Sequence, residues 1–155
     1  MIETRLDISD LIFETVDLIK KDRQFSPTIA WKLEIDPALF LKISAGELSQ
    51  ILWNLLMNAL QAVSSDDEIF IVARQRRTEN QGDWIEIQVR DNGPDISEGD
   101  QAKIFEPFFT TKDRGMGLGL SIVQKLISDL GGKIHLKSSP GKGTEFTVQF
   151  PKGAD

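Results

Sequence analysis

The run 51–60 limits what this chain can fold into more than any other stretch. Ile51, Leu52, Trp53, Leu55, Leu56, Met57, Ala59 and Leu60 make it apolar on nearly every side, so a helix over 47–63 has to be largely buried. Its interruptions are Asn54 and Asn58, which lie four residues apart and stack on one face. Gln50 and Gln61 extend that uncharged polar line, and Ser64, Ser65, Asp66 and Asp67 end the helix. Exposed helical stripes usually carry Lys, Glu or Arg, which favour helix, whereas a shielded carboxamide needs a partner. The line is therefore a candidate ligand surface, and its carboxamide oxygens are hard donors of the kind Mg2+ takes.

The flanking sequence supplies apolar surface for that helix to cover. Residues 7–23 place Leu11, Ile12, Thr15, Leu18 and Ile19 at helical spacing, with Asp7 or Ser9 as cap. Residues 28–35 alternate, with Ile29, Trp31, Leu33 and Ile35 on one face, and 40–43 read as a second short strand. Residues 68–76 and 84–91 have strand period and form a hairpin around a polar loop. A helix over 118–130 is ended by Gly131-Gly132, and strands 133–137 and 144–150 flank the turn from Pro140 to Gly143. Helices interleave with strands, several of them hairpin-linked. This predicts an α/β (α+β) two-layer sandwich, a mixed sheet with one layer of helices.

The length, 155 residues, fits a single domain over 1–155. Net charge is -6, which argues against nucleic acid as a partner. The charge is uneven: residues 1–109 hold 11 Lys/Arg against 20 Asp/Glu, and 110–155 hold 7 against 4, so an anion is best accommodated by the C-terminal third. Cysteine is absent, which removes disulfides and thiolate metal sites and suits the cytoplasm. No apolar run approaches the roughly 18 residues of a membrane helix, and residues 1–20 lack signal-peptide character, so no direct membrane contact is expected.

Between Asp91 and Gly117 the chain is irregular apart from a short helix expected near 100–105, a candidate functional loop. It opens with Asp91, Asn92 and Gly93 at a strand end. This is an ordinary turn signal, yet a fixed carboxylate there can also accept a hydrogen bond from an exocyclic amine. It closes with Gly115, Gly117 and Gly119 at a helix start, preceded by Lys112 and Arg114, the makings of an anion site. A dinucleotide fingerprint fails on context, because Phe108, Phe109, Thr110 and Thr111 precede the glycines where a strand is required. A P-loop is absent as well. Of the aromatic run, Phe105 and one of Phe108 and Phe109 are expected in the core, and the run can also anchor a lid. The single histidine, His135, alternates with Ile134 and Leu136 and is expected at the surface.

In this order the stretches resemble the catalytic ATP-binding domain of bacterial sensor histidine kinases, a branch of the GHKL superfamily. Residues 50–59 resemble its N box, 91–93 its first glycine box, 105–112 its F box and 115–120 its second glycine box. Gly131-Gly132 and Gly143-Thr144-Glu145-Phe146 match too, and 58–62 with 106–112 are most similar to the nitrogen-regulation-type subgroup. The resemblance implies the Bergerat ATP-binding fold, with ATP and Mg2+ bound. It implies that Asn58 coordinates the metal, that Asn54 stands beside the phosphates, and that Gln61 joins the ATP-binding set. Asp91, helped by Thr144, binds the adenine amino group, and Gly93 lets the backbone approach the base. Gly115, Gly117, Leu118 and Gly119 wrap the phosphates, with Lys112 or Arg114 screening their charge.

The implied partners are ATP or ADP, the dimerisation and phosphoacceptor domain of a parent kinase, and a response regulator. Nothing here resembles the phosphoacceptor hairpin, so no catalytic residue is assigned. A histidine protein kinase domain of this kind is not expected to autophosphorylate as an isolated chain. The signal, the cognate regulator and the parent's attachment to a membrane stay open. One departure from the family pattern is Asp95, where a second glycine is usual. Its side chain and charge are expected to weaken nucleotide binding or alter the lid. Three alternatives are a docking module without catalysis, a serine kinase of the anti-sigma type, and a GHKL ATPase. The ATPases place a glutamate base where this chain has Asn54, which cannot take a proton at neutral pH.

Overall fold

A computed structural model describes residues 5–25, 27–80, 82–106 and 119–152. Among them the chain order is Arg5–Asp7 (β1), Ile8–Lys21 (α1), Ala30–Ile35 (β2), Phe40–Lys42 (β3), Ala45–Ala62 (α2), Glu68–Thr78 (β4), Gly82–Asp91 (β5), Glu98–Gln101 (α3), Gly119–Asp129 (α4), Lys133–Ser139 (β6) and Gly143–Pro151 (β7). The main sheet runs β2-β4-β5-β7-β6. β2 pairs parallel with β4 and the other neighbours are antiparallel, the mixed arrangement expected from the interleaving.

Strand alternation decides which face the helices cover. Ile69, Ile71 and Ala73 of β4, Ile85, Ile87 and Val89 of β5, and Phe146, Val148 and Phe150 of β7 are all buried on the same side. Onto them pack Ile12 and Val16 of α1, a run from Leu48 to Ala59 of α2, and Val123 and Ile127 of α4. Each fully buried Leu or Ile contributes about 1.5–3 kcal/mol relative to exposure, so the six apolar side chains of α2 from Leu48 to Ala59 contribute on the order of 10 kcal/mol before conformational entropy is charged. Both long N-terminal helices are capped by side chains. Asp7 accepts the Ser9 N–H at 3.0 Å. The Ser44 hydroxyl accepts the Glu47 N–H at 3.1 Å and donates to the Glu47 carboxylate at 2.9 Å.

Several local expectations are corrected. Leu18 is 69% exposed, because the buried stripe of α1 runs through Ile8, Ile12, Thr15, Val16 and Ile19 and leaves Leu18 on its flank. Trp53 is 44% exposed, so α2 is not apolar to the core on every side. The short strand read at 40–43 does form, as β3, and its partner is β1, a strand of three residues too brief to show periodicity. The short helix falls at Glu98–Gln101, ahead of its expected place, where the Ser97 hydroxyl caps it.

The face of the sheet away from the helices carries one unusual group. Glu86 points there from β5, yet it is 3% exposed. Arg76 and Arg74 reach its carboxylate at 3.1 and 3.5 Å. Gln149 and Gln88 donate to it at 3.1 and 3.2 Å. Four donors thus replace the water that a shielded carboxylate would otherwise lack.

Candidate functional site

The polar line of α2 is graded by depth. Gln50 and Gln61 are exposed, whereas Asn54 and Asn58 are half-buried, which fits a groove rather than a free surface. Its wall is the start of α4: a Cβ placed on Gly119 would stand 3.3 Å from the Asn54 side-chain oxygen. The first described turn of α4 therefore stands beside Asn54. Eight residues further along α2, about 12 Å at the helical rise, Ala62 ends the helix and meets the other half of the site.

That half is built on the end of β5. Asp91 is 3% exposed and its Oδ1 accepts the Gly93 N–H at 3.0 Å, so it does close the turn that its sequence context suggested. Directly across the ladder stands Thr144, also 3% exposed. Two glycines allow the backbones to close in. A Cβ on Gly93 would lie 2.5 Å from the Ala62 carbonyl oxygen, so the close approach seen there is to the end of α2. Gly143, at φ +74°, would put a Cβ 2.0 Å from the Asp91 carbonyl oxygen. Asn92 ties the same corner to β4, its Oδ1 accepting the Glu68 N–H at 2.7 Å.

A third group anchors the segment that follows Asp91. The Ser138 hydroxyl accepts the Ile96 N–H at 2.8 Å, donates to the Gly143 carbonyl at 3.0 Å and lies 3.2 Å from the Thr144 hydroxyl. Gln101 of α3 donates to the carbonyls of Ile96 and Ser138 at 2.7 and 3.3 Å. Beyond it Ile104 is buried, and half-buried Phe105 meets Phe146 edge-on with centroids 6.3 Å apart. Phe105 thus packs against the core while staying half-buried, short of the full burial expected.

Of the residues singled out from sequence, Asn54, Asn58, Asp91, Gly93, Gly119 and Thr144 lie along one continuous path from the start of α4 to the end of β5, with Gln61 exposed near the end of α2. Lys112, Arg114, Gly115, Gly117 and Leu118, together with Phe108 and Phe109, lie outside the described residues. His135 is exposed, as its alternation required. Asp95 is exposed as well. The non-glycine residues with positive φ among those described are Ala38 and Asp66, so position 95 makes no demand for left-handed backbone. Sequence reasoning passed over Ser138 and Gln101. The signal for Ser138 was its parity, since it follows Ile134 and Leu136 on the inward face of β6 where a hydroxyl needs a partner.

Among the described residues no three His, Cys, Asp or Glu side chains gather as a metal site. A divalent ion in this groove would draw on carboxamide oxygen and on oxygens of its ligand, the chemistry Mg2+ favours. No helix among the described residues is long and apolar enough to cross a membrane. On the outer face, a cleft of about 280 Å3 lined by Glu68, Phe70, Arg90, Asp91, Asn92 and Lys142 backs onto the same corner.

Comparison with known proteins gives the same outline. The family described as histidine kinase-, DNA gyrase B-, and HSP90-like ATPase matches residues 44–154. The chain is 35% identical to the sensor histidine kinase ZraS of Salmonella typhimurium over 94% of its own length, and it spans 30% of that protein. Its structure is similar to the nucleotide-free catalytic domain of the histidine kinase ThkA, with TM-score 0.82, 34% identity, and 98% and 97% of the two chains covered. It is also similar to full-length ShkA in complex with AMPPNP, with TM-score 0.76, 27% identity, 99% of this chain and 32% of that one.

Proposed function

The chain belongs to the family of histidine kinase-, DNA gyrase B- and HSP90-like ATPases, as the catalytic domain type of sensor histidine kinases, and from that premise we propose that it binds ATP with Mg2+ and presents the γ-phosphoryl group to a histidine on a separate dimerisation and phosphoacceptor domain in two-component signalling. The observation that carries this is the pairing, along one side of α2, of a shielded acceptor corner and the described beginning of α4. Asp91 and Thr144 form the first, and Gly119 beside Asn54 marks the second. The span along α2 between them, about 12 Å, is of the order that separates a base from its terminal phosphate. The AMPPNP bound by ShkA supports a triphosphate as ligand.

In this scheme the adenine amino group donates to Asp91, with Thr144 alongside. The phosphates meet the first turn of α4, helped by Gly115, Gly117 and Leu118 and by Lys112 or Arg114. Asn58 would hold Mg2+ through its carboxamide oxygen, with Asn54 beside the phosphates. Such an ion would supply positive charge to offset that of the phosphates. Asn54 has no basic function at neutral pH, so water is poorly activated and the triphosphate persists until an acceptor histidine arrives. The residues form one domain, whose partners are the phosphoacceptor domain and, downstream, a response regulator.

Calorimetric titration with ATP and ADP, each with and without Mg2+, tests the scheme. Saturable ATP binding strengthened by Mg2+ is expected, and Asp91→Asn should weaken it about tenfold or more by removing a charged acceptor. Absence of ATP binding by the unaltered chain would overturn the assignment. Adding a phosphoacceptor hairpin with γ-labelled ATP then reads transfer directly, and labelled ATP bound without any transfer would leave a binding module.

A further inference from the structure

We infer that Ser138 sets the polarity of the Thr144 hydroxyl and thereby acts as a specificity-determining positioning residue, making the base pocket a pair of acceptors that selects a 6-amino purine over a 6-oxo purine. This rests on the ATP reading above and deepens it. The inference comes from counting protons. A serine hydroxyl has one hydrogen to give and two lone pairs with which to accept. Ser138 lies 3.0 Å from the Gly143 carbonyl oxygen, which can only accept, so the Ser138 hydrogen is spent there. Ile96 N–H, which can only donate, fills one lone pair at 2.8 Å. The remaining contact is to the Thr144 hydroxyl at 3.2 Å, and with the Ser138 hydrogen already placed, Thr144 has to be its donor.

Thr144 then has no hydrogen left for a ligand and faces the pocket with lone pairs only. Across the ladder stands Asp91, which as a carboxylate also only accepts. Both are 3% exposed, so water does little to blur the pattern. The amino group of adenine offers two N–H donors to two acceptors. A 6-oxo group in the same place sets its own lone pairs against both, and a shielded polar group facing another of its own kind is costly. The same hydroxyl fastens Ile96 and, with Gln101, holds the segment 96–101 against β6.

The experiment compares ATP and ITP affinities, by calorimetry with Mg2+, for the unaltered chain and for Ser138→Ala, Ser138→Thr and Thr144→Val. Ser138→Ala releases the Thr144 hydrogen to donate to a 6-oxo group, so the preference for ATP should narrow about fivefold, the value of one neutral hydrogen bond. Ser138→Thr keeps the hydroxyl and should restore the preference. On a Thr144→Val background Ser138→Ala should leave the ratio unchanged. Loss of the Ile96 anchorage alone would lower both affinities by the same factor, and an unchanged ATP-to-ITP ratio in Ser138→Ala therefore overturns the inference while leaving ATP binding intact. An unaltered chain that binds neither nucleotide overturns the ATP assignment and this inference with it.

Discussion

Replacing Gly143 by alanine separates two reasons for which a glycine can be required. Gly141 and Gly143 flank Lys142 in the turn between β6 and β7, with nearly equal dihedrals, φ +76° and +74°. Left-handed backbone costs an ordinary residue about 1–2 kcal/mol, and both positions carry that cost. Their surroundings differ. A Cβ at 141 meets nothing within 4 Å, whereas at 143 it lies 2.0 Å from the Asp91 carbonyl oxygen and 2.9 Å from the Asn92 Cα. Those atoms are backbone at the paired end of β5 and just beyond it, and cannot swing aside as a side chain would. Forcing extra volume into such a place costs a further 1–3 kcal/mol, about, through displaced backbone. Gly141→Ala should therefore cost about 1–2 kcal/mol and Gly143→Ala about 2–5 kcal/mol, read as urea midpoints at unchanged slope. Gly143→Ala should also impair ATP binding beyond its effect on stability, because the displaced strand end carries Asp91, while Gly141→Ala should bind normally. Equal destabilisation by the two variants would refute the contact at Asp91 as the reason for glycine at 143.

Glu86→Ala removes the carboxylate that four donors surround; its arginine partners are about half exposed and can return to water, so the expected loss is about 1–2 kcal/mol. For a chain of this size that corresponds to a fall in Tm of about 2–8 °C by calorimetry, with ATP affinity unchanged because the network lies on the far face of the sheet. Ser44→Ala opens the cap of α2 and should cost about 1 kcal/mol in denaturant titration, with Ser44→Asp close to neutral. Asp95→Gly is expected to tighten ATP binding by removing a negative charge near a polyanion; because position 95 is exposed and without left-handed backbone, the gain should shrink as salt is raised, and binding no tighter than in the unaltered chain at low salt would remove the charge effect.

The amino-acid sequence by itself determined the longer elements and, for most of their residues, the sides they show. Period-two alternation along 68–76 and 84–91 and the apolar run of α2 fixed the face that each element buries, because burial of apolar surface is a local pattern repeated many times. The candidate groups Asn54, Asn58, Asp91 and Thr144 were legible because each stands in a recognisable order of short motifs. What the tertiary structure alone decided are the relations between distant segments. That β3 pairs with β1, that Leu18 and Trp53 stay exposed, and that Glu86 is shielded on an open sheet face all depend on neighbours brought from elsewhere in the chain. The proton arrangement at Ser138 belongs to the same class. Its partners Ile96, Gly143 and Thr144 come from two separate stretches of the chain, and hydrogen bonding at 2.8–3.2 Å is set by position in space, which sequence periodicity does not encode.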